Sequence, residues 1–226
     1  NVDPKYSLTS IGQGASMGVH ESQSRIYENQ LGRSRAFSEF LFGHMKQSFG
    51  DFGIQTPDDF YKAVNSVGNG FIRTEADEVQ YNLHVLLRFD LYRAQVYGDL
   101  QVKDLEAAWN DRFYSDFGYQ VESASQGCLQ DVHWSVGLFG YFPTYSLGNV
   151  YAGCLYETLR ENCPTLDNDL SVGNLAPATD WLRNSLQCHG ALKLPRKTIS
   201  DACAFEPSEQ PLLAYLQKKF SDIYDL

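Results

Sequence analysis

The chain has 226 residues, with 18 Lys and Arg against 28 Asp and Glu, for a formal charge of −10. That length can bury a full core, as one large domain or two small ones, and a single domain is the preferred reading. The acidic balance argues against a nucleic-acid surface, which depends on clustered Lys and Arg, and suits basic substrates or plain solubility. Fourteen Tyr and fourteen Phe fit a large helical interior or a peptide-binding channel better than a linker. Five cysteines with no CxxC pair indicate neither a disulfide framework nor a zinc knuckle, so a reducing cytoplasm is expected. No apolar run reaches the length of a membrane span, and the N-terminus lacks a signal-type apolar region, so no membrane partner is expected.

In chain order, residues 1–13 read as loop, with a short strand expected near residues 7–11. Residues 15–31 contain no Pro and one glycine, Gly18, which predicts a helix that continues, after a break near Gly32, to Phe49. On it Glu21, Arg25 and Glu28 share one face. Two readings of that face stand: a solvated row of ion pairs at i,i+4 spacing, or a carboxylate ligand, Glu21, steadied by its neighbours, since buried charges must be paired or hold a metal. Thr56-Pro57-Asp58-Asp59 is a helix start with a capping Thr, Pro in the first turn and acids at the positive end of the dipole; Phe60, Ala63, Val64 and Val67 are its expected apolar face.

Beyond Gly68 and Gly70, Thr74 is read as a cap with Asp77 at capping-box spacing, opening a helix that Gly98 ends. Along it Arg73, Asp77, Tyr81, His84 and Arg88 recur at steps of three or four, while Val79, Leu83, Leu86 and Leu87 point elsewhere. The polar stripe lines a cleft or faces water. Residues 102–117 form another amphipathic helix, closed by Gly118. A second dense stretch follows, with Gln130, Asp131 and His133, then Tyr141 and Tyr145 on either side of Pro143, which should kink or restart the helix. A satisfied core His and packed phenols are the alternative there. After Pro164, residues 179–188 read as a helix with Gly190 beyond it, KLPRKTIS as a basic loop, and residues 209–224 as a final amphipathic helix. The class is mainly α.

Taken together, HESQSR with ENQLGRSRAF, IRTEAD at 72–77, GCLQDVHW at 127–134 and GYFPTYSLGN at 140–149 resemble, in order and spacing, the carboxypeptidase Taq family of metallocarboxypeptidases, with the flavour of its kinetoplastid members. The resemblance covers essentially the whole chain. It implies the C-terminal portion, residues 1–226, of one catalytic domain in a large helical zinc-peptidase fold with a long substrate cleft. The family's HExxH is absent, so the resemblance places this chain after that motif, and its implied partners are the N-terminal HExxH part, a peptide substrate and a second copy in a homodimer. Glu21 then matches the metal ligand from a second helix, for zinc or alternatively cobalt. Arg73 becomes the partner of the substrate's terminal carboxylate. Gln130 and His133 line the cleft; Tyr145, or else Tyr141, donates to the oxyanion. Two other expectations are a non-catalytic helical interaction domain, and a complete hydrolase whose metal triad is Glu21, His84 and His133.

Overall fold

The computed structural model describes all 226 residues, and its regular structure is entirely helical. Ten α-helices are joined by short 3₁₀ turns: α1 Met17–Arg25, α2 Arg35–Phe49, α3 Pro57–Val64, α4 Tyr81–Tyr97, α5 Leu105–Phe117, α6 Pro143–Asn162, α7 Leu166–Ser171, α8 Ala176–Ser185, α9 Pro195–Cys203 and α10 Gln210–Tyr224. The chain divides into two compact units, residues 1–65 with 147–226, and residues 66–146. No helix is long and apolar enough to cross a membrane.

In the larger unit Thr56 acts as expected, accepting from the Asp59 N–H to open α3, and Ser16 and Ser34, which the sequence reading does not single out, open α1 and α2 in the same way by accepting from Val19 and Phe37. Between α1 and α2 lies a feature absent from the sequence reading, a π-helical turn over Ile26–Leu31. Its extra residue rotates Asn29, Gln30 and Leu31 inward together, and all three are buried. Gly32 caps the turn, its N–H donating to the Tyr27 carbonyl oxygen at 2.8 Å, and a Cβ there would stand 2.7 Å from that oxygen, so the position favours glycine. The core gathers Ile26 and Leu31 with Leu155 and Leu159 of α6, Leu170 of α7, Leu182 of α8 and Ile199 of α9, all fully buried.

Several local expectations need correction. Residues 7–11 form no strand; two 3₁₀ turns, Pro4–Tyr6 and Ser10–Gly12, occupy that region. Of the expected apolar face of α3, Phe60 is buried and Val67 half-buried, but Ala63 and Val64 are exposed and Tyr61 is buried in their stead. KLPRKTIS is not a loop: Pro195 opens α9, and Thr198, Ile199 and Cys203 anchor it. The helix read from Thr179 begins earlier, at Ala176, with Pro177 in its first turn.

The smaller unit is built on α4 and α5, where Leu87, Leu91, Trp109 and Phe113 form one cluster and Tyr81, Val85 and Phe142 another. The predicted helix over the IRTEAD stretch is absent. Arg73–Glu75 is a 3₁₀ turn, and Asp77, not Thr74, leads into α4 by accepting from the N–H groups of Val79 and Gln80. In the stripe Arg73, Tyr81, His84 and Arg88 are buried and Asp77 half-buried; of the residues pointing elsewhere, Val79, Leu83 and Leu86 are exposed and Leu87 is buried. Residues 120–142 hold only turns and bends until Pro143 opens α6.

Candidate active site

Glu21 sits on α1 in the larger unit. Its carboxylate accepts from Arg25 Nε at 2.8 Å and from Ser24 Oγ at 2.9 Å, and Arg25 also reaches Glu28 at 3.0 Å. The row of acid, base and acid is therefore an ion-paired face, but a half-sheltered one, with the Glu21 and Arg25 side chains only 18% and 14% exposed. Against it packs Gly148 of α6. A Cβ at that position would lie 2.7 Å from Glu21 Cβ and Cγ, so only glycine lets α6 approach so closely. The sequence reading quoted Gly148 in a motif without assigning it this role; its place in GYFPTYSLGN was the only signal.

A metal finds little to hold in this chain by itself. Each Glu21 oxygen already accepts one hydrogen bond and retains a lone pair for a cation. No three His, Cys, Asp or Glu side chains are grouped to hold an ion. That removes the internal triad, and His84 fails on its own account. It is fully buried in the smaller unit, 4.6 Å from the Phe117 ring, and burial, reinforced by Arg88 and Arg73, lowers its pKa to about 3. It is a neutral core histidine.

The other expected site residues meet in the smaller unit. Asp131 is their hub: its Oδ1 accepts from Arg73 Nη2 at 2.7 Å and its Oδ2 from Arg88 Nε at 2.6 Å. Burial raises the Asp131 pKa and the two guanidiniums lower it further, with a net shift downward, so the carboxylate is ionised. Arg73 is itself 5% exposed; its Nη1 donates to Tyr81 Oη at 3.0 Å, and its guanidinium lies 4.8 Å from the Tyr145 ring centroid. Gln130 laces the irregular backbone, accepting from Arg73 N–H and donating to the Phe71 and Gln126 carbonyls. Both its N–H groups are committed, which leaves one lone pair of Oε1 for any ligand.

His133 Nε2 stands 3.0 Å from Tyr145 Oη, and its Nδ1 stands 3.8 Å from Asp131 Oδ1. Burial lowers the His133 pKa against the pull of Asp131, so the ring is neutral at neutral pH. Tyr145 occupies the first turn of α6, just after Pro143; Tyr141 precedes it in irregular backbone and packs edge-on to Tyr145 at 5.4 Å. Of the two phenols, Tyr145 carries the hydrogen bond to His133. Arg88 was read only as part of a stripe, and its bond to Asp131 needed the fold to be seen. A groove of about 980 Å³ in the larger unit, lined by Arg35, Tyr156, Arg160, Tyr215 and Lys219 among others, contains none of the expected site residues.

A family model described as carboxypeptidase Taq (M32) metallopeptidase matches residues 1–220. Thermostable carboxypeptidase 1 of Thermus thermophilus is 41% identical over 216 residues, covering 96% of this chain and 42% of that protein. Carboxypeptidase 1 of Bacillus subtilis is 38% identical over 228 residues, covering 99% and 45%. Among solved structures, an M32 carboxypeptidase from Deinococcus radiodurans R1 has a TM-score of 0.95 at 38% identity, over 100% of this chain and 46% of its own. Trypanosoma cruzi metallocarboxypeptidase 1 has 0.90 at 33%, over 94% and 44%. The chain spans less than half the length of the curated relatives it matches.

Proposed function

Since the chain belongs to the carboxypeptidase Taq (M32) metallopeptidase family, we propose that it is the C-terminal portion of a zinc-dependent carboxypeptidase, which acts together with an N-terminal part bearing HExxH. The observation that carries this reading is the convergence of three motif segments, IRTEAD, GCLQDVHW and GYFPTYSLGN, on the Arg73–Asp131–His133–Tyr145 cluster. Glu21 would give one carboxylate to zinc, with cobalt as the alternative; a bound ion of this kind acidifies water.

The chain's own residues then have distinct tasks. Two buried guanidiniums share one carboxylate at Asp131, which leaves an excess of positive charge suited to a peptide's terminal carboxylate, and Arg73 is the member nearest Tyr145. Tyr145 donates to the oxyanion as the substrate carbonyl becomes tetrahedral. For that step His133, neutral at neutral pH, donates its Nε2–H to the phenol oxygen, which leaves the Tyr145 hydroxyl proton for the oxyanion. Gln130 and Tyr141 border the substrate, Gln130 through the remaining lone pair of Oε1. A cytoplasmic homodimer completes the proposal; the five free cysteines fit a reducing compartment, and sedimentation would count the copies.

The test compares peptides with free and amidated C-termini in the protein carrying both parts. Only free peptides should be cleaved, and Arg73→Lys, which keeps charge but loses the fork, should cut that cleavage sharply. Equal cleavage of both peptides by the unmodified protein would remove the carboxypeptidase reading.

A further inference from the structure

Arg88 has no route to a substrate, since its side chain is completely buried. Its guanidinium is nevertheless held through two of its three nitrogens, Nη2 being buried without a partner. Nε donates to Asp131 Oδ2 at 2.6 Å, Nη1 donates to the His84 carbonyl one turn back on α4 at 2.6 Å, and the plane lies 4.6 Å from the Trp109 ring centroid on α5. It is thus anchored to two regular helices and holds one carboxylate in the turns of residues 120–142.

That carboxylate is what Arg73 grips. Arg73 lies in a single 3₁₀ turn with no helical ladder to fix it, and its side chain meets Asp131 through Nε at 3.2 Å and Nη2 at 2.7 Å. Its Nη1 donates to Tyr81 Oη of α4 at 3.0 Å, so Asp131 fixes the Nε and Nη2 edge alone; along that edge α4 and α5 hold Arg88, Arg88 holds Asp131, and Asp131 holds Arg73. A lysine at position 88 offers one ammonium, which cannot bond Asp131 and the His84 carbonyl with the fixed fork of a guanidinium or lie flat on Trp109.

We propose that Arg88 is a positioning residue which, through Asp131, sets the placement of the Arg73 guanidinium that recognises the substrate's terminal carboxylate. This rests on the carboxypeptidase reading above. His133 is 3.8 Å from the same Asp131, beyond hydrogen-bond range, so the oxyanion side of the site depends on Arg88 less than the carboxylate side does.

Two readouts test it, one of which needs no catalysis. In this chain, proton–nitrogen spectra of arginine Nε–H groups, assigned with Arg73→Lys, should show Arg73 Nε–H protected from exchange. Arg88→Lys should reduce that protection at least tenfold. In the protein carrying both parts, Arg88→Lys should raise KM for free peptides about tenfold while kcat falls less than threefold. A purely structural role predicts a lower Tm with both readouts unchanged in the folded protein, and that result overturns the proposal. If Arg88→Lys does not fold, Asp131→Asn serves in its place, and retained Arg73 protection in that variant likewise overturns it. Loss of the carboxypeptidase reading shows separately, as absent or amide-indifferent cleavage by the unmodified protein, and leaves the spectroscopic test intact.

Discussion

The residues that matter most here are held by neighbours that leave little slack. Tyr145 bonds His133 Nε2 while its ring covers Arg73, so its hydroxyl is aimed before substrate arrives. Tyr145→Phe keeps the ring and removes the donor; kcat should fall by roughly 10² or more with little change in KM, as is usual when one oxyanion donor is lost. The same signature in Tyr141→Phe, and not in Tyr145→Phe, would exchange the two roles. Gly148 is the second case. Gly148→Ala places a methyl 2.7 Å from Glu21 Cβ and Cγ, so Glu21 or α6 must move, at a cost of about 1–3 kcal/mol. Zinc affinity of the protein carrying both parts should drop in Gly148→Ala and in Glu21→Gln, measured by competition with a chelator. Unchanged affinity in both variants would remove Glu21 from the ligand set.

At the scale of an element, α4 partly inverts the usual arrangement. Its Tyr81, His84 and Arg88 are buried beside Val85, Leu87 and Leu91, while Leu83 and Leu86 of the same helix are exposed. Periodicity identified the polar stripe correctly but not its direction, because a 3.6-residue repeat says which residues share a face and nothing about what covers that face. The inversion has a pH consequence through His84. Its folded pKa of about 3 lies below the ordinary 6.5, so its contribution to stability is complete above pH 6.5 and is lost as pH falls through the window from 6.5 towards 3. The slope is about 1.4 kcal/mol per pH unit in that window. Asp131, also lowered, adds a loss only below the ordinary carboxylate value of about 4. Denaturant melts at pH 7 and pH 5 should therefore differ in midpoint, and His84→Leu should bring the two closer together. An equal pH sensitivity in that variant would assign the effect elsewhere.

For the whole molecule, the proposal turns on how few metal ligands the chain offers. On that reading Glu21 gives one carboxylate where zinc sites of this kind take three protein ligands, and no three His, Cys, Asp or Glu side chains are grouped to hold an ion. Purified residues 1–226, dialysed against zinc, should hold far less than one ion per chain and release no C-terminal residues. Addition of the HExxH part should restore both. Stoichiometric zinc with hydrolysis in the lone chain would overturn the assignment of the ligands. Exposed Leu83, Leu86, Leu129, Val132 and Val136 in the smaller unit should also make the lone chain associate, which light scattering would register as a mass above 25.5 kDa.

Motif order determined the family, because motif chemistry restricts residue type and spacing far more tightly than a core does, while helix signals and the scarcity of strand-like alternation determined the mainly α class. Thr56, Gly98 and Pro143 were legible for a related reason: caps and breakers act on backbone groups a few residues away, so their meaning is local. Where partners are distant in the chain, only the tertiary structure decided. Gly148 against Glu21, Arg88 sharing Asp131 with Arg73, and the sealing of His84 against Phe113 and Phe117 each join residues separated by 29 to 127 positions, or 43 and 58 for the two arginines. Neither periodicity nor propensity encodes such pairings, since they follow from how helices pack and from the cost of leaving a charge unpaired once it is buried.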